Sequence, residues 1–136
     1  MMQRVFADTD IVLDLLLERN PHYHAAAKLF TMADRKELKL CVSSLCFTNL
    51  KYILRKAISP AEARGALLRL KTLVTVFAVD DKIIELALAS SFNDLEDAVQ
   101  HYTATQNKIK ILLTRNLKDY KRGSLITMTA DEYVKS

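Results

Sequence analysis

Short apolar runs alternate with amphipathic stretches from one end of the chain to the other. The runs have the length and the β-branched content of buried strands, and the stretches between them repeat their apolar residues at helical spacing. Strands are predicted up to Asp8 and at 39–43, 74–79, 109–114 and 125–128. A chain in which strands alternate with helices predicts a parallel sheet with helices on both faces and right-handed crossovers.

Local signals place the helix ends. The sequences Ser59-Pro60-Ala61-Glu62 and Thr129-Ala130-Asp131-Glu132 are capping boxes that start helices. Asn20-Pro21 ends the first helix and starts a second, which is expected to run to about Leu38. Further helices are predicted from Ser43 or Ser44, from Asp80 or Asp81, and from Asn93.

Composition narrows the class of protein. The 136 residues are half hydrophobic and include two glycines, which favours one globular domain over residues 1–136. Two cysteines exclude a disulfide framework and a four-cysteine zinc site. The start of the chain has no signal-peptide pattern and no apolar run is long enough to cross a membrane, so a cytoplasmic location is expected.

Polar residues follow the predicted strands at the points where those strands end. Asp8 ends the first strand, and the stretch from Thr114 to Asp119 follows the fourth. Asp97 lies in the first turn of the helix opened by Asn93. Because the carboxyl ends of parallel strands share one edge of the sheet, these groups are expected to meet there.

Carboxylates gathered at one edge repel one another, by about 4 kcal/mol for a pair about 4 Å apart at an effective dielectric of 20. A cluster of this kind survives by staying partly protonated or by binding a cation. Oxygen ligands suit Mg²⁺ or Mn²⁺, which also bind phosphates. In a chain of net charge +4, such a site points to phosphodiester chemistry.

Four motifs, in this order, resemble the PIN domain family over nearly the whole chain. They are Val5-Phe6-Ala7-Asp8-Thr9-Asp10, Ser44-Leu45-Cys46-Phe47-Thr48-Asn49-Leu50-Lys51-Tyr52-Ile53-Leu54, Leu95-Glu96-Asp97-Ala98 and Leu113-Thr114-Arg115-Asn116-Leu117-Lys118-Asp119-Tyr120. The resemblance implies a three-layer α/β/α sandwich around a mostly parallel sheet of four to five strands. It also implies a Mg²⁺- or Mn²⁺-dependent ribonuclease, with RNA as substrate. Many small members are VapC-like toxins that an antitoxin binds, commonly as homodimers.

The resemblance assigns roles to particular residues. Asp8, Asp97 and Asp119 would bind metal, with Asp94, Thr114 and Asn116 as supporting residues. The family's acid often stands at the position of Asn116, so either Asp119 replaces that acid or Asn116 holds a water. Asn49 stands where the family usually has Glu, so it would orient the site without adding charge. Asp10, where the family often has Asn or Ser, would restore that charge; this is a hypothesis. Arg115, Lys118 and Lys51 would contact nucleic acid.

Ordinary structural roles compete with each assignment. Asp8 and Asp94 could be helix caps, and Asp97 could complement a helix dipole. Asp119 could pair with Lys121 or Arg122 on the surface. His101, four residues after Asp97, could orient that acid or be a half-buried polar residue. Three tyrosines could stack on bases or pack in the core or its rim: Tyr52, Tyr102 and Tyr120.

Two functions follow from these observations. The first is metal-dependent cleavage of RNA by Asp8, Asp97, Asp119 and Asn49, with an antitoxin as partner and no membrane involved. The alternative is a catalytically weakened PIN-fold module that binds RNA or a protein partner, which Asn49 supports. A flavodoxin-like or response-regulator-like domain shares the alternation of strands and helices. It is disfavoured because its acidic pocket needs a strand-four lysine and a phosphoacceptor that this pattern lacks.

Overall fold

The first strand is the middle strand of the central sheet, so its carboxyl end lies at the centre of the edge that the strand ends form. The computed structural model describes residues 2–121 and 123–136, and these form five parallel strands in the order β3-β2-β1-β4-β5. The strands are β1 Gln3–Ala7, β2 Leu38–Ser43, β3 Thr75–Phe77, β4 Ile111–Leu113 and β5 Ile126–Met128.

Helices connect successive strands and cover the sheet. Within the described residues they are α1 Thr9–Leu16, α2 Tyr23–Asp34, α3 Ser44–Leu54, α4 Pro60–Leu73, α5 Asp81–Ala89, α6 Leu95–Gln106 and α7 Ala130–Lys135, with a 3₁₀ helix at Leu117–Tyr120. None of the helices in this part of the chain is long and apolar enough to span a bilayer. Both predicted capping boxes form, at Ser59 with Glu62 and at Thr129 with Glu132.

Side chains of the strands alternate between two apolar cores, as the pleat requires. Val5 and Ala7 face a large core shared with α1, α2, α3 and α4. Phe6, between them, faces a second core with Ala104 of α6. Helices therefore pack on both faces, which confirms the predicted α/β/α sandwich.

Three elements are shorter than the sequence predicts. The second helix was expected from Asn20-Pro21 to about Leu38, but α2 spans Tyr23–Asp34 and Leu38 starts β2. The chain turns at Lys36, whose φ is 60°, and Leu38 then enters the core. β3 and β4 occupy only the middle of the runs predicted at 74–79 and 109–114, because pairing with their neighbours is confined to three residues of each.

Candidate active site

Asp8 is the centre of the polar cluster and is itself nearly inaccessible to solvent, with 6% of its surface exposed. The backbone N–H of Asp8 donates to the carbonyl of Leu113 (2.9 Å), which joins the ends of β1 and β4. One carboxylate oxygen, Oδ1, accepts from the Thr9 N–H (2.8 Å) as the N-cap of α1. The other, Oδ2, accepts from the hydroxyls of Thr114 and Tyr120, each at 3.0 Å.

Asp97 approaches Asp8 through the same tyrosine. The Tyr120 hydroxyl lies 3.4 Å from Asp97 Oδ1, so one hydroxyl contacts carboxylates from β1 and α6. Asp94 caps α6, and its Oδ1 accepts from the Asp97 N–H at 3.0 Å. The helix cap at Asp94 is therefore compatible with the acidic cluster at Asp97, because the cap orients the turn that carries Asp97.

Electrostatics show that the acids interact. The pKa of Asp97 is raised to about 7, mainly by burial and then by the charges of Asp8, Asp94 and Asp119. Burial is also the main cause of the raised pKa of Asp8, to which the Asp119 charge contributes. Asp119 itself is exposed on the 3₁₀ helix. The structure thus brings Asp8, Asp97 and Asp119 into one electrostatic cluster.

Asn49 contacts this cluster through a residue that the sequence analysis left out of the site. Its Nδ2 donates to Oε1 of Glu96 (3.0 Å), which links α3 to the first turn of α6. Burial raises the pKa of Glu96, and the charges of Asp8 and Asp94 add to that shift. A carboxylate therefore lies against Asn49, although the residue at position 49 carries no charge.

Asp10 lies close enough to Asp8 for the two charges to interact, but its hydrogen bonds go to other residues. Its Oδ2 accepts from Asn116 Nδ2 (3.1 Å) and, at 3.4 Å, from the backbone N–H of Arg115. Its Oδ1 is buried without a hydrogen-bond partner among the described residues. Burial, followed by the charge of Asp8, raises the pKa of Asp10 to about 7. Asp10 and Asn116 thus form a hydrogen-bonded pair next to Asp8.

The three residues predicted to contact nucleic acid do not all lie together. Lys118 is exposed on the 3₁₀ helix beside Asp119. Arg115 is partly exposed and its Nε lies 3.1 Å from Oδ2 of buried Asp14, which also pairs with Arg19. Lys51 instead lines a groove of about 340 Å³ between α3 and α4, with Phe47, Arg64, Leu67, Leu68 and Lys71.

Two alternatives from the sequence can also be placed. Asp119 forms no ion pair with Lys121 in the described part of the chain, and Arg122 lies outside the described residues. His101 is buried, 3% exposed, and its ring packs 5.0 Å from that of Phe92. It is therefore a core residue, not a half-buried one.

Tyr120 and Glu96 are the site residues that sequence reasoning missed. Tyr120 was considered for base stacking, which its 2% exposure rules out. The sequence offered no signal for its direction, because either of two neighbouring residues in a short turn can face the core. Glu96 stood beside Asp97 in the same first turn, but only the packing of α3 against α6 shows that it meets Asn49.

The donor groups fit a hard divalent cation of the Mg²⁺ type. No group of three or more His, Cys, Asp or Glu side chains in the described residues is arranged to bind a metal by protein ligands alone. Mg²⁺ does not need such a cage, because it binds through one or two carboxylates, several waters and substrate phosphates. Asp8 and Asp97, which meet at one hydroxyl, supply that number of carboxylates.

A parallel α/β/α sandwich with acidic side chains gathered at the carboxyl edge of its central strands defines the class of protein, and comparison with known families agrees with that class. The family described as "PIN domain" matches residues 4–118. This chain belongs to the PIN domain family.

Individual relatives are similar over nearly the full length. Ribonuclease VapC1 of Aquifex aeolicus (strain VF5) is 24% identical over 139 residues, which cover 96% of this chain and 93% of the relative. The fold also matches VapBC2 from Rickettsia felis bound to a DNA fragment from its promoter, with a TM-score of 0.72, 16% identity, and coverage of 93% of this chain and 98% of that one.

A further solved structure has a similar fold. Mycobacterium tuberculosis VapC20, a toxin that cleaves the sarcin-ricin loop, matches with a TM-score of 0.64 and 18% identity, over 79% of this chain and 86% of that one. At these identities the structural matches establish the shared fold.

Proposed function

We propose that this chain is a divalent-metal-dependent endoribonuclease of the PIN type. The observation that carries the proposal is the meeting of Asp8 and Asp97, from β1 and α6, at the hydroxyl of Tyr120 (3.0 and 3.4 Å). Acids so distant in the sequence meet because the fold brings the end of β1 next to the start of α6. The relatives named as a ribonuclease and as a toxin that cleaves the sarcin-ricin loop support the same reaction.

Asp8 and Asp97 are the residues proposed to bind Mg²⁺ or Mn²⁺, with Asp119 completing the cluster. A bound ion of this kind lowers the pKa of a coordinated water and neutralises charge at an attacked phosphate. Thr114 fixes Asp8 Oδ2, and Asp94 fixes the turn that carries Asp97. Asn49 orients Glu96, which adds a carboxylate on the side where Asn49 has none.

RNA is proposed to lie along this edge of the sheet, next to Lys118 and Arg115. Phosphate contacts from Lys and Arg supply most of the affinity of such proteins for nucleic acid. Arg115 is suited to this role because its guanidinium is positioned by Asp14 and remains partly exposed. Lys51 is left out of the proposed RNA path because it lines the separate α3–α4 groove.

An antitoxin is the proposed protein partner. Three of the similar solved structures are VapBC complexes, from Rickettsia felis, Salmonella typhimurium and Haemophilus influenzae. Coexpression of this chain with its genomic neighbours, followed by copurification, tests for such a complex. The homodimer stays a prediction, which sedimentation of the purified chain tests.

The Asp8→Asn variant tests the metal-dependent reaction. Asparagine is as good an N-cap as aspartate, so the variant keeps α1 intact while removing the charge at the centre of the cluster. Cleavage of end-labelled stem-loop RNAs in Mg²⁺ should fall by at least about 100-fold, the scale of losing one key electrostatic group. Thermal stability should not fall.

The control for this experiment is Asp34→Asn, which removes an exposed carboxylate at the end of α2. It should cleave as the unmodified chain does. Equal cleavage by Asp8→Asn and the unmodified chain, both purified identically, would show that the activity does not depend on Asp8.

The second candidate is a PIN-fold module that binds RNA or protein without cleaving. Asn49, an amide where the family usually has Glu, is the observation that favours it. Calorimetric titration with Mn²⁺ separates the two candidates, since the module would bind little or no metal. Under the nuclease proposal Mn²⁺ binds and the Asp8→Asn variant loses that binding.

A further inference from the structure

Among the residues that the structure describes, the hydroxyl of Tyr120 is the group that contacts two of the proposed metal-binding carboxylates. It lies 3.0 Å from Asp8 Oδ2 and 3.4 Å from Asp97 Oδ1. Only 2% of the Tyr120 side chain is exposed, so water has little access to it. Tyr120 is therefore held in the core, whereas Asp97 beside its hydroxyl is partly exposed.

Packing around the Tyr120 ring holds its hydroxyl in place. The Tyr120 ring belongs to the second apolar core and packs at 68° to the ring of Phe92, with centroids 6.1 Å apart. The 3₁₀ helix Leu117–Tyr120 directs Tyr120 inward while its neighbour Asp119 stays exposed at the site. One short turn thus carries an anchor in the core and an acid at the edge of the sheet.

A phenolic hydroxyl suits two neighbouring carboxylates because it carries a proton that it can donate to either of them, whereas an ionised carboxylate only accepts. Two carboxylates alone would move apart, since their repulsion is strong where water is scarce. A hydroxyl between them opposes that separation. The rigid ring behind it limits how far either acid can shift.

We propose that Tyr120 is a positioning residue, whose hydroxyl sets the separation of Asp8 and Asp97 for metal binding and changes its hydrogen bonds when metal binds. This inference rests on the proposed function, because it concerns the same metal site. Tyr120 is not proposed to contact RNA or the reacting phosphate. It acts through the two acids.

The Tyr120→Phe variant tests this role, because it removes the hydroxyl and keeps the ring. Loss of a group that orients metal ligands typically lowers metal affinity by about 10- to 100-fold, so calorimetry with Mn²⁺ should show a loss on that scale. The matched control is Tyr133→Phe. Its hydroxyl also donates a hydrogen bond, to Gln3 Oε1 (2.6 Å), but at the start of β1, on the opposite edge of the sheet. The control should bind Mn²⁺ as the unmodified chain does.

Tyrosine emission gives a second readout that a purely structural role would not change. The chain has five tyrosines and no tryptophan, so its fluorescence comes from tyrosine. Titration with Mg²⁺ should alter the emission of the unmodified chain and of Tyr133→Phe. Tyr120→Phe should lose that change. Chemical shifts of the Tyr120 ring in isotope-labelled unmodified chain provide the same test if the variant folds poorly.

The possible failures can be told apart. If the unmodified chain binds no Mn²⁺, the proposed function fails and this inference fails with it. If the unmodified chain binds Mn²⁺ and Asp8→Asn abolishes binding, but Tyr120→Phe binds with unchanged affinity and keeps its emission change, only the role of Tyr120 is overturned.

Discussion

At the scale of single residues, Asp8 shows why a structural and a functional interpretation of one side chain need not compete. Its Oδ1 caps α1 and its Oδ2 accepts from Thr114 and Tyr120. The cap uses one oxygen, and the other accepts from the Tyr120 hydroxyl that also contacts Asp97. Asp94 repeats this arrangement, since capping α6 is what orients the turn carrying Asp97.

Asp10 gives a prediction about stability and pH. Its pKa is raised from an ordinary 3.8 to about 7, mainly by burial. The folded chain therefore binds more protons than the unfolded chain between these pH values. Stability linked to Asp10 is highest below its ordinary pKa and falls as the pH rises toward 7.

Asp10→Asn should accordingly flatten the fall in melting temperature between about pH 4 and pH 7, the range between the ordinary and the raised pKa of Asp10. An asparagine side chain keeps an oxygen that can accept from Asn116 and the Arg115 N–H. Calorimetric scans without metal measure the effect. Because Asp97 also has a raised pKa, part of the slope should remain. An unchanged slope would mean that Asp10 is ionised at little cost in the folded chain.

At the scale of elements, Gly123 shows how a loop is fitted onto α6. A Cβ at this position would lie 2.5 Å from Cε1 and 2.6 Å from Nδ1 of the buried His101 ring. Overpacking of this kind typically costs about 1–3 kcal/mol. Gly123→Ala should therefore lower the free energy of unfolding by that amount, as measured by urea denaturation.

Gly65 in α4 is the matched control, with the opposite expected sign. A Cβ there would meet only Arg69 Nη1, at an ordinary contact distance of 3.5 Å. Gly65→Ala should stabilise the chain by about 0.5–1 kcal/mol, the usual gain from replacing glycine inside a helix. If both variants were stabilised, the loop would not be packed against His101 as the structure has it.

The elements and their order could be predicted from the sequence, because periodicity and caps are local properties. The place of Asp8 at the candidate site could also be predicted. A parallel sheet brings the carboxyl ends of its strands to one edge, however far apart those strands lie in the sequence. The directions of Tyr120 and Lys51 could not be predicted. These directions depend on how the 3₁₀ helix and α3 are rotated when they pack against neighbouring elements. The residue pattern alone does not specify that rotation.

At the scale of the whole molecule, charge is divided unevenly over the surface. The net charge is +4, yet carboxylates from β1, α1, α6 and the 3₁₀ helix gather at one edge. The remaining surface is therefore more positive than the net charge suggests. A polyanion would be attracted over a distance and repelled by the acids themselves unless a cation bound there.

This division of charge predicts where RNA contacts the chain. Binding of single-stranded RNA weakens with salt, by about 0.7 in the logarithmic slope for each phosphate contacted. In an Asp8→Asn background, which prevents cleavage, Lys118→Ala should reduce the slope by about that amount. Lys118 lies beside Asp119 at the acidic edge, whereas Lys51 faces the α3–α4 groove. Lys51→Ala should therefore leave the slope unchanged.

Fluorescence anisotropy of a labelled RNA, measured over about 50 to 200 mM KCl, gives both slopes under one set of conditions. The comparison is sharp because both substitutions remove one lysine charge and so change the net charge equally. A general effect of charge would lower both slopes alike. A loss confined to Lys51→Ala would move the RNA path from the strand ends to the groove beside α4, and Lys118 would then have no part in binding.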